Sequence, residues 1–283
     1  MNNFICKIGK LKNIDRIVGE DFLMNIIIPM TGFGSRFVAA GYQELKPLIK
    51  IQGTPMIEWI VKGMFDKDDS FLFVCRKHHL DSVNGMYHYL KNIAPSVKIY
   101  AIDDWIKKGP VWDVMRAETD ISDDEPCIVN YCDFYMSWDY MNFLNEVTQR
   151  KCDGCIPCYS GFHPHLLVKN NLYASCLIDN NQNLIEIREK YSFENDKTKA
   201  FHSPGTYYFN SGKTLKKYSK ELIQSGNEIN GEYYTSLIYN FIVKDGGTVW
   251  VPSNVDKFCQ WGTPEDLEAY LFWTDLVRSF AND

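Results

Sequence analysis

The sequence predicts an α/β fold in which a mixed, mostly parallel sheet is covered by helices on both faces, giving three αβα layers. Three observations lead there. From Met24 onward, short runs that are apolar throughout alternate with helix-length segments. Strands without polar alternation are buried on both faces, as happens when crossover helices cover a parallel sheet. The chain has 283 residues and is 45% apolar, enough for one large α/β domain with a substantial core.

The elements follow in order. "MNIIIPM" from Met24 is the first strand, and "TGFGSRF" is a glycine loop after it. A helical stretch is expected over about 54–64, a strand over "FLFVC" (71–75), a helical pattern after Lys77, and a strand over "VKIYAI" from Val97. A helix follows Pro110, and "PCIVNYCDF" from Pro126 is the next strand. Crossovers should be right-handed, and the ligand crevice should lie beyond the carboxyl ends of the strands. After about residue 150 the texture becomes aromatic-rich, as in "GTYYFNSG" and "GEYYTSLIYN". The last segment, "WGTPEDLEAYLFWTDLV", reads as a helix capped by Thr263, with Pro264 at its first position and acids in its first turn.

Residues 1–23 have mixed polarity and precede a second methionine at the start of the first strand. They read equally as an N-terminal arm or as the product of an upstream start, and carry no chemistry. The rest, 24–283, is expected to be one domain.

The formal net charge is −6 and no block of five or six basic residues occurs, which excludes the electrostatic footprint of a nucleic-acid binder. A small anionic ligand held by a few placed cations fits that balance. Nine cysteines are scattered along a chain with no secretory leader pattern, so free thiols in a reducing cytosol are expected. No apolar run approaches the roughly 20 residues of a membrane span. The expectation is a soluble, cytoplasmic protein.

In the glycine loop, Gly32 and Gly34 let the backbone approach a ligand and aim N–H groups at it, which suits phosphate oxygens. The loop completes neither the dinucleotide fingerprint, which needs a glycine at 37, nor a P-loop. Taken alone, Arg36 and Lys46 read as solvated surface charges. With the downstream "ELKPLIKIQGTPMIEWIV", the segment closely resembles the nucleotidyltransferases that join an NTP to a sugar 1-phosphate or similar phosphoester. The matching residues are Gly32-Phe33-Gly34-Ser35-Arg36, Lys46-Pro47-Leu48 and Gly53-Thr54-Pro55-Met56-Ile57.

The resemblance implies the Rossmann-like fold of nucleotide-diphospho-sugar transferases, with a nucleotide-binding half over 24–150 and an acceptor-binding half over 151–283. It implies that Met30, Thr31, Gly32, Phe33, Gly34 and Ser35 hold the nucleotide, that Arg36 clamps the departing β and γ phosphates, and that Lys46 neutralises the α-phosphate under attack. This agrees with phosphoryl transfer in general, where the protein contributes positioning and cations. In "KKGPVWDVMRA", Gly109 and Pro110 resemble the segment that approaches the nucleobase, although an ordinary turn before a helix reads the same way. In "CIVNYCDF", Asp133 stands where the family binds Mg²⁺. The second family aspartate is missing: "CQWGTPEDL" holds Gln260 in that register, so the metal has fewer charges or another acid, such as Glu232, replaces it.

On the acceptor side, "EIREKYSF" implies Lys190 on the acceptor phosphate and Glu189 on a polar group. "SPGTYYF" implies Gly205 and Tyr207 as a wall, and "GFHPHL" offers His163 and His165 near the mouth. Those histidines with Cys152, Cys155 and Cys158 have poor spacing for zinc. The overall texture looks like the bacterial capsule and surface-polysaccharide branch, which includes cytidylyltransferases of small phosphoesters such as phosphocholine or phosphoglutamine. The expected reaction transfers NMP from an NTP, CTP slightly ahead of UTP or dTTP, to a phosphomonoester. The implied partners are an NTP and a small phosphorylated metabolite, with no nucleic acid or membrane, and a homo-oligomer stays open. Two alternatives differ in class. A metal-dependent glycosyltransferase would want Asp-x-Asp, whereas Asp133 is followed by Phe134 and Tyr135. A nucleotide-sensing protein on a degenerate fold would release no pyrophosphate.

Overall fold

The computed structural model describes residues 23–282, so nearly all of the segment 1–23 lies outside the described residues. The first part of the chain forms β1 (Asn25–Met30), α1 (Ser35–Ala39), β2 (Lys50–Ile51), β3 (Thr54–Pro55), α2 (Met56–Met64) and β4 (Ser70–Arg76). It continues through α3 (Lys77–Ser82), α4 (Met86–Lys91), β5 (Ser96–Ile102), α5 (Pro110–Arg116) and β6 (Cys127–Asn130). Next come β7 (Phe134–Trp138), α6 (Tyr140–Arg150), β8 (Gly154–Cys155), β9 (Ser175–Ile178), β10 (Leu184–Arg188) and β11 (Phe201–His202). The chain closes with β12 (Thr206–Phe209), α7 (Gly212–Ser225), α8 (Ile238–Lys244), β13 (Val249–Trp250), β14 (Val255–Gln260) and α9 (Pro264–Asn282).

Seven strands make one sheet in the order β13-β8-β12-β6-β1-β4-β5. The β1–β4, β1–β6, β4–β5 and β8–β13 pairs are parallel, and β12 runs antiparallel to both β6 and β8. The sheet is therefore mixed and mostly parallel, as expected. Side-chain alternation along its strands feeds two cores. Ile26, Ile28 and Met30 of β1, with Phe71, Phe73 and Cys75 of β4, face a cluster that includes Ile57 and Ile60 of α2 and Phe143 of α6. Ile27, Leu72 and Val74 face the opposite cluster, with Val111 of α5, Leu215 of α7 and Ile238 of α8. Period-two strands between two helical layers give the three-layer arrangement.

Two boundaries differ from the sequence expectation: the strand read over "PCIVNYCDF" stops at Asn130, with Phe134 starting β7, and the start of α2 moves. Thr54 and Pro55 belong to the β2–β3 hairpin rather than to the helix, which starts at Met56. Gln52 and Gly53 both have positive φ (53° and 87°), the two-residue turn geometry that matches the twist of paired strands and favours glycine. Pairing of Lys50 with Pro55 then holds Pro55 extended, so the helix cannot begin earlier.

The strand order reverses around β1, whose neighbours are β4 and β6. Loops leaving the carboxyl ends of β1 and β6 thus open on one crevice, where an open α/β sheet binds ligand. A β7–β14 ribbon closes beside it, with Gln260 opposite Phe134 and Trp261 N–H donating to Asp133 O at 3.0 Å. A third cluster of Phe37, Ile49, Ile51, Met56, Trp261 and Leu267 ties α1, the hairpin, α2 and α9 together. Among the described residues no helix is long and apolar enough to cross a membrane, and the eight described cysteines are free thiols.

Candidate active site

The glycine loop runs from the end of β1 into α1. Gly34 has φ 62° and caps the helix without a side-chain bond, so the N–H groups of the first helical turn have neither helical nor side-chain partners. A Cβ at Gly32 would meet nothing within 4 Å, which leaves that backbone open to close approach. Thr31 is buried and donates through Oγ1 to Asp113 Oδ2 on α5.

The loop is held from behind by a residue that sequence reasoning missed. Arg76, at the end of β4, is 1% exposed, and its guanidinium donates to Thr31 O (2.7 Å), Asp104 O (2.6 Å) and Ile106 O (2.9 Å). It also lies over the Phe33 ring at 4.3 Å, and Phe33 stacks on the exposed Trp105 at 5.8 Å and meets His78 and His79 at 6.4 and 6.5 Å. The three carbonyls occupy the guanidinium fork as a carboxylate otherwise would. The one available signal was an arginine closing an apolar strand. Burial pushes the Asp113 carboxyl up to about 6, against the pull of the Thr31 hydrogen bond and the Arg76 charge.

Arg36, in the first turn of α1, is exposed and makes no ion pair with any described residue. Its charge acts on Tyr173, Tyr234 and Asp266, all in the second half of the chain. Lys46 is buried deeper. Its ammonium donates to Asp133 Oδ2 at 2.8 Å and to Gly262 O at 2.9 Å, and lies 5.2 Å from the Phe37 ring centroid. Residues 46, 133 and 262, far apart in the chain, therefore converge at one charged point.

Gln260 sits one ladder position from Asp133. Its Nε2 donates to Asp266 Oδ2, while its Oε1 is buried without a partner. Asp266 also accepts from Thr263 Oγ1 at 2.7 Å, and burial raises its pKa above the ordinary value. The acid that the fold brings to Gln260 is thus Asp266. Glu232 is instead paired with Lys107 at 2.7 Å, beside Gly109. Asp266 escaped the sequence reading because an acid in a first helical turn already has a capping role, which it also plays here: its N–H donates to Thr263 Oγ1 at 3.2 Å.

Gly109 and Pro110 start α5, as expected, and the glycine also lets two chain segments pack closely. At φ 88°, a Cβ would meet Tyr233 N at 2.8 Å, Glu232 Cβ at 2.9 Å and Tyr233 O at 2.9 Å. On the acceptor side Glu189 follows β10, accepts from Ser236 Oγ, and is pushed up to about 7 by burial. Lys190 is exposed, has φ 53°, and lies 5.6 Å from the Tyr234 ring centroid. Gly205, at φ 115°, fits against Phe134 and Tyr131, where a Cβ would come within 2.9 and 3.1 Å.

An expected wall residue, Tyr207, and a residue expected near the mouth, His163, lie behind the surface. Tyr207 is 2% exposed and packs on Tyr131 and Tyr239, because β12 is an interior strand of the sheet. His163 is 9% exposed and belongs to a ring cluster with Tyr159, His165 and Phe258. Burial lowers the pKa of His163, and that of His165 falls to about 3, so both imidazoles are neutral near pH 7.

A glycine loop, two cations and a carboxylate at the switch point of a mostly parallel sheet are the parts of a nucleotide phosphate site. The chain belongs to the nucleotidyl transferase family, whose profile matches residues 25–275, and it is a nucleotidyltransferase. Its fold is similar to that of the nucleoside-diphosphate-sugar pyrophosphorylase from Vibrio cholerae RC9, with TM-score 0.70 and 18% identity over 87% of this chain and 99% of that one. It is also similar to HddC from Yersinia pseudotuberculosis, with TM-score 0.60 and 19% identity over 89% and 100% of the two chains. A UDP-glucose pyrophosphorylase in its apo form gives TM-score 0.69 and 14% identity over 90% and 99%. No curated protein matches the chain.

Proposed function

We propose that the protein transfers a nucleoside monophosphate from CTP, ahead of UTP or dTTP, to a small phosphomonoester and releases pyrophosphate. The acceptor is a sugar 1-phosphate or a phosphocholine- or phosphoglutamine-like phosphoester, and the product is a precursor of a capsule or surface polysaccharide. The observation that carries this reading is the meeting of Lys46, Asp133 and Gly262 O beside the glycine loop, with the unpaired Arg36 above them. CTP is placed first because Gln260 and the aromatic acceptor half depart from the pattern of hexose-phosphate enzymes. Cytosolic NTP and the free thiols fit a cytoplasmic enzyme.

In this mechanism the acceptor phosphate oxygen attacks the α-phosphorus in line, one P–O bond forms, and the bond to the departing pyrophosphate breaks. Backbone N–H groups of 31–35 hold the triphosphate, Arg36 takes the β and γ oxygens, and Lys46 leaves its contact with Asp133 for the α-phosphate. Lys190 binds the acceptor phosphate and Glu189 a polar group beyond it. Gly205 lets Tyr131 and Phe134 close up beside Asp133, and Tyr207 acts behind Tyr131. No general base is needed, since a phosphomonoester is already anionic and nucleophilic near neutral pH. The neutral, buried histidines agree with that.

The residues fit a magnesium ion. Asp133 keeps one oxygen away from Lys46, and the buried Gln260 Oε1 lacks a partner, so a hard, oxygen-seeking cation would satisfy both. Bound there, Mg²⁺ would neutralise charge on the triphosphate oxygens.

The test is a matrix of CTP, UTP, dTTP, ATP and GTP against sugar 1-phosphates and small phosphoesters with Mg²⁺, read as pyrophosphate release. At least one pyrimidine nucleotide should give product, and Arg36→Ala should weaken NTP binding. The reading fails if no pair releases pyrophosphate and Arg36→Ala binds NTP as the native chain does.

A further inference from the structure

The last helix, α9, is apolar on two opposite faces. Inward, Leu267 is fully buried, and Tyr270 and Leu271 pack with it against Trp261 and its cluster, while Arg278 donates to Gln52 Oε1. Outward, Phe272, Trp273, Val277 and Phe280 are 62%, 61%, 65% and 71% exposed. Ala269 and Leu276 lie in the same stripe, so the spacing 269-273-276-280 repeats as four, three, four. That is the heptad spacing of a seam between two helices, with Phe272 and Val277 at its flanks.

Single exposed apolar residues are ordinary, whereas a contiguous aromatic stripe is not. With a whole aromatic side chain worth roughly 150–250 Å², the exposures of Phe272, Trp273 and Phe280 leave about 300–500 Å² of aromatic surface on one helix, the size of the largest patches that monomers carry. Two copies face to face would cover about 600–1,000 Å² from these rings, and with Val277 beside them that reaches the scale of the roughly 1,000 Å² that a specific interface needs.

We propose that α9 is a self-association face, with two copies of this chain pairing α9 against α9, antiparallel about a two-fold axis. Charge sets the direction. The first turns carry Glu265, Asp266 and Glu268, which a parallel pair would stack on each other and an antiparallel pair separates. Charge also argues against a lipid partner: the described polar positions of α9 hold four acids, Asp275 among them, against one basic residue, Arg278, the reverse of a helix that lies on an anionic membrane surface. An isologous contact needs a single self-complementary patch, which one apolar helix face supplies.

The test is the mass of the full-length chain by light scattering on a sizing column at micromolar concentration. The expected mass is twice 32.9 kDa. Ala269→Glu and, separately, Trp273→Glu with Phe280→Glu should raise the dimer dissociation constant by roughly thirtyfold or more, the size of one hot-spot loss. Glutamate is a good helix former and Ala269 is exposed, so the first variant should keep the native circular dichroism and pyrophosphate release. A monomeric native chain overturns the proposal. So does a dimer that both variants leave intact, or a monomer that binds vesicles of mixed neutral and anionic phospholipid through α9.

Discussion

Lys46 illustrates how one side chain serves both the resting site and the reaction. Its ammonium bridges Asp133 and Gly262 O, yet Asp133 is about one-third exposed and stays hydrated without it, so the pair adds little to stability. A cation beside a phosphoryl group in transfer is worth far more. Lys46→Met should therefore lower kcat for pyrophosphate release by about 10²–10³ and move Tm by little; unchanged turnover would remove Lys46 from the mechanism. Asp113 behaves differently because it is buried. Its pKa in the folded chain, about 6, lies above the ordinary carboxylate value, so the folded state holds this proton more tightly. The stability that this contributes is full below about pH 4 and lost as pH rises through about 6. Asp113→Asn keeps an acceptor for Thr31 and removes the titration. Urea midpoints of native chain and variant at pH 4 and pH 7 should show the native chain losing ground to the variant on going up; parallel changes would contradict that assignment.

At the scale of elements, the start of α5 is where two segments far apart in sequence are locked together. Lys108 O accepts from Tyr233 N at 2.8 Å, and Val111 N donates to Tyr233 O at 3.1 Å, with Gly109 lying against the same backbone. An alanine there meets backbone rather than a flexible side chain and adopts a φ that disfavours a Cβ. Gly109→Ala should cost about 2–4 kcal/mol, measured by urea unfolding, with weaker NTP binding as a consequence of the displaced turn. A change below half a kilocalorie would mean that the turn relaxes freely. The sequence marked this glycine for a nucleobase; the pairing of residue 108 with residue 233 is what makes it indispensable to the fold. The capped start of α9 was more legible, because Thr263-Pro264 carries its reason locally.

For the whole molecule, the strands β1, β4 and β6 could be read from the chain because each is apolar on both faces, and a parallel sheet between helical layers is the arrangement that buries both; β5, at the sheet edge, keeps Ser96, Lys98 and Ala101 exposed. The insertion of β12 between β6 and β8, the β7–β14 ribbon and the β10-β9-β11 sheet could not. They are short strands whose partners lie many residues away, and nothing local distinguishes an interior strand such as β12 from a cleft wall. Tyr207 was read as a cleft wall for that reason, Arg76 went unnoticed because its partners are backbone carbonyls, and Asp266 looked like a cap. What the sequence by itself determined was the α/β class and the family, because motif order and strand texture are local properties. Only the tertiary structure decided which charges meet, that Lys46 rests on Asp133, that Gln260 faces Asp266, and which aromatic face of α9 stays bare, because burial and pairing depend on which distant segments pack together.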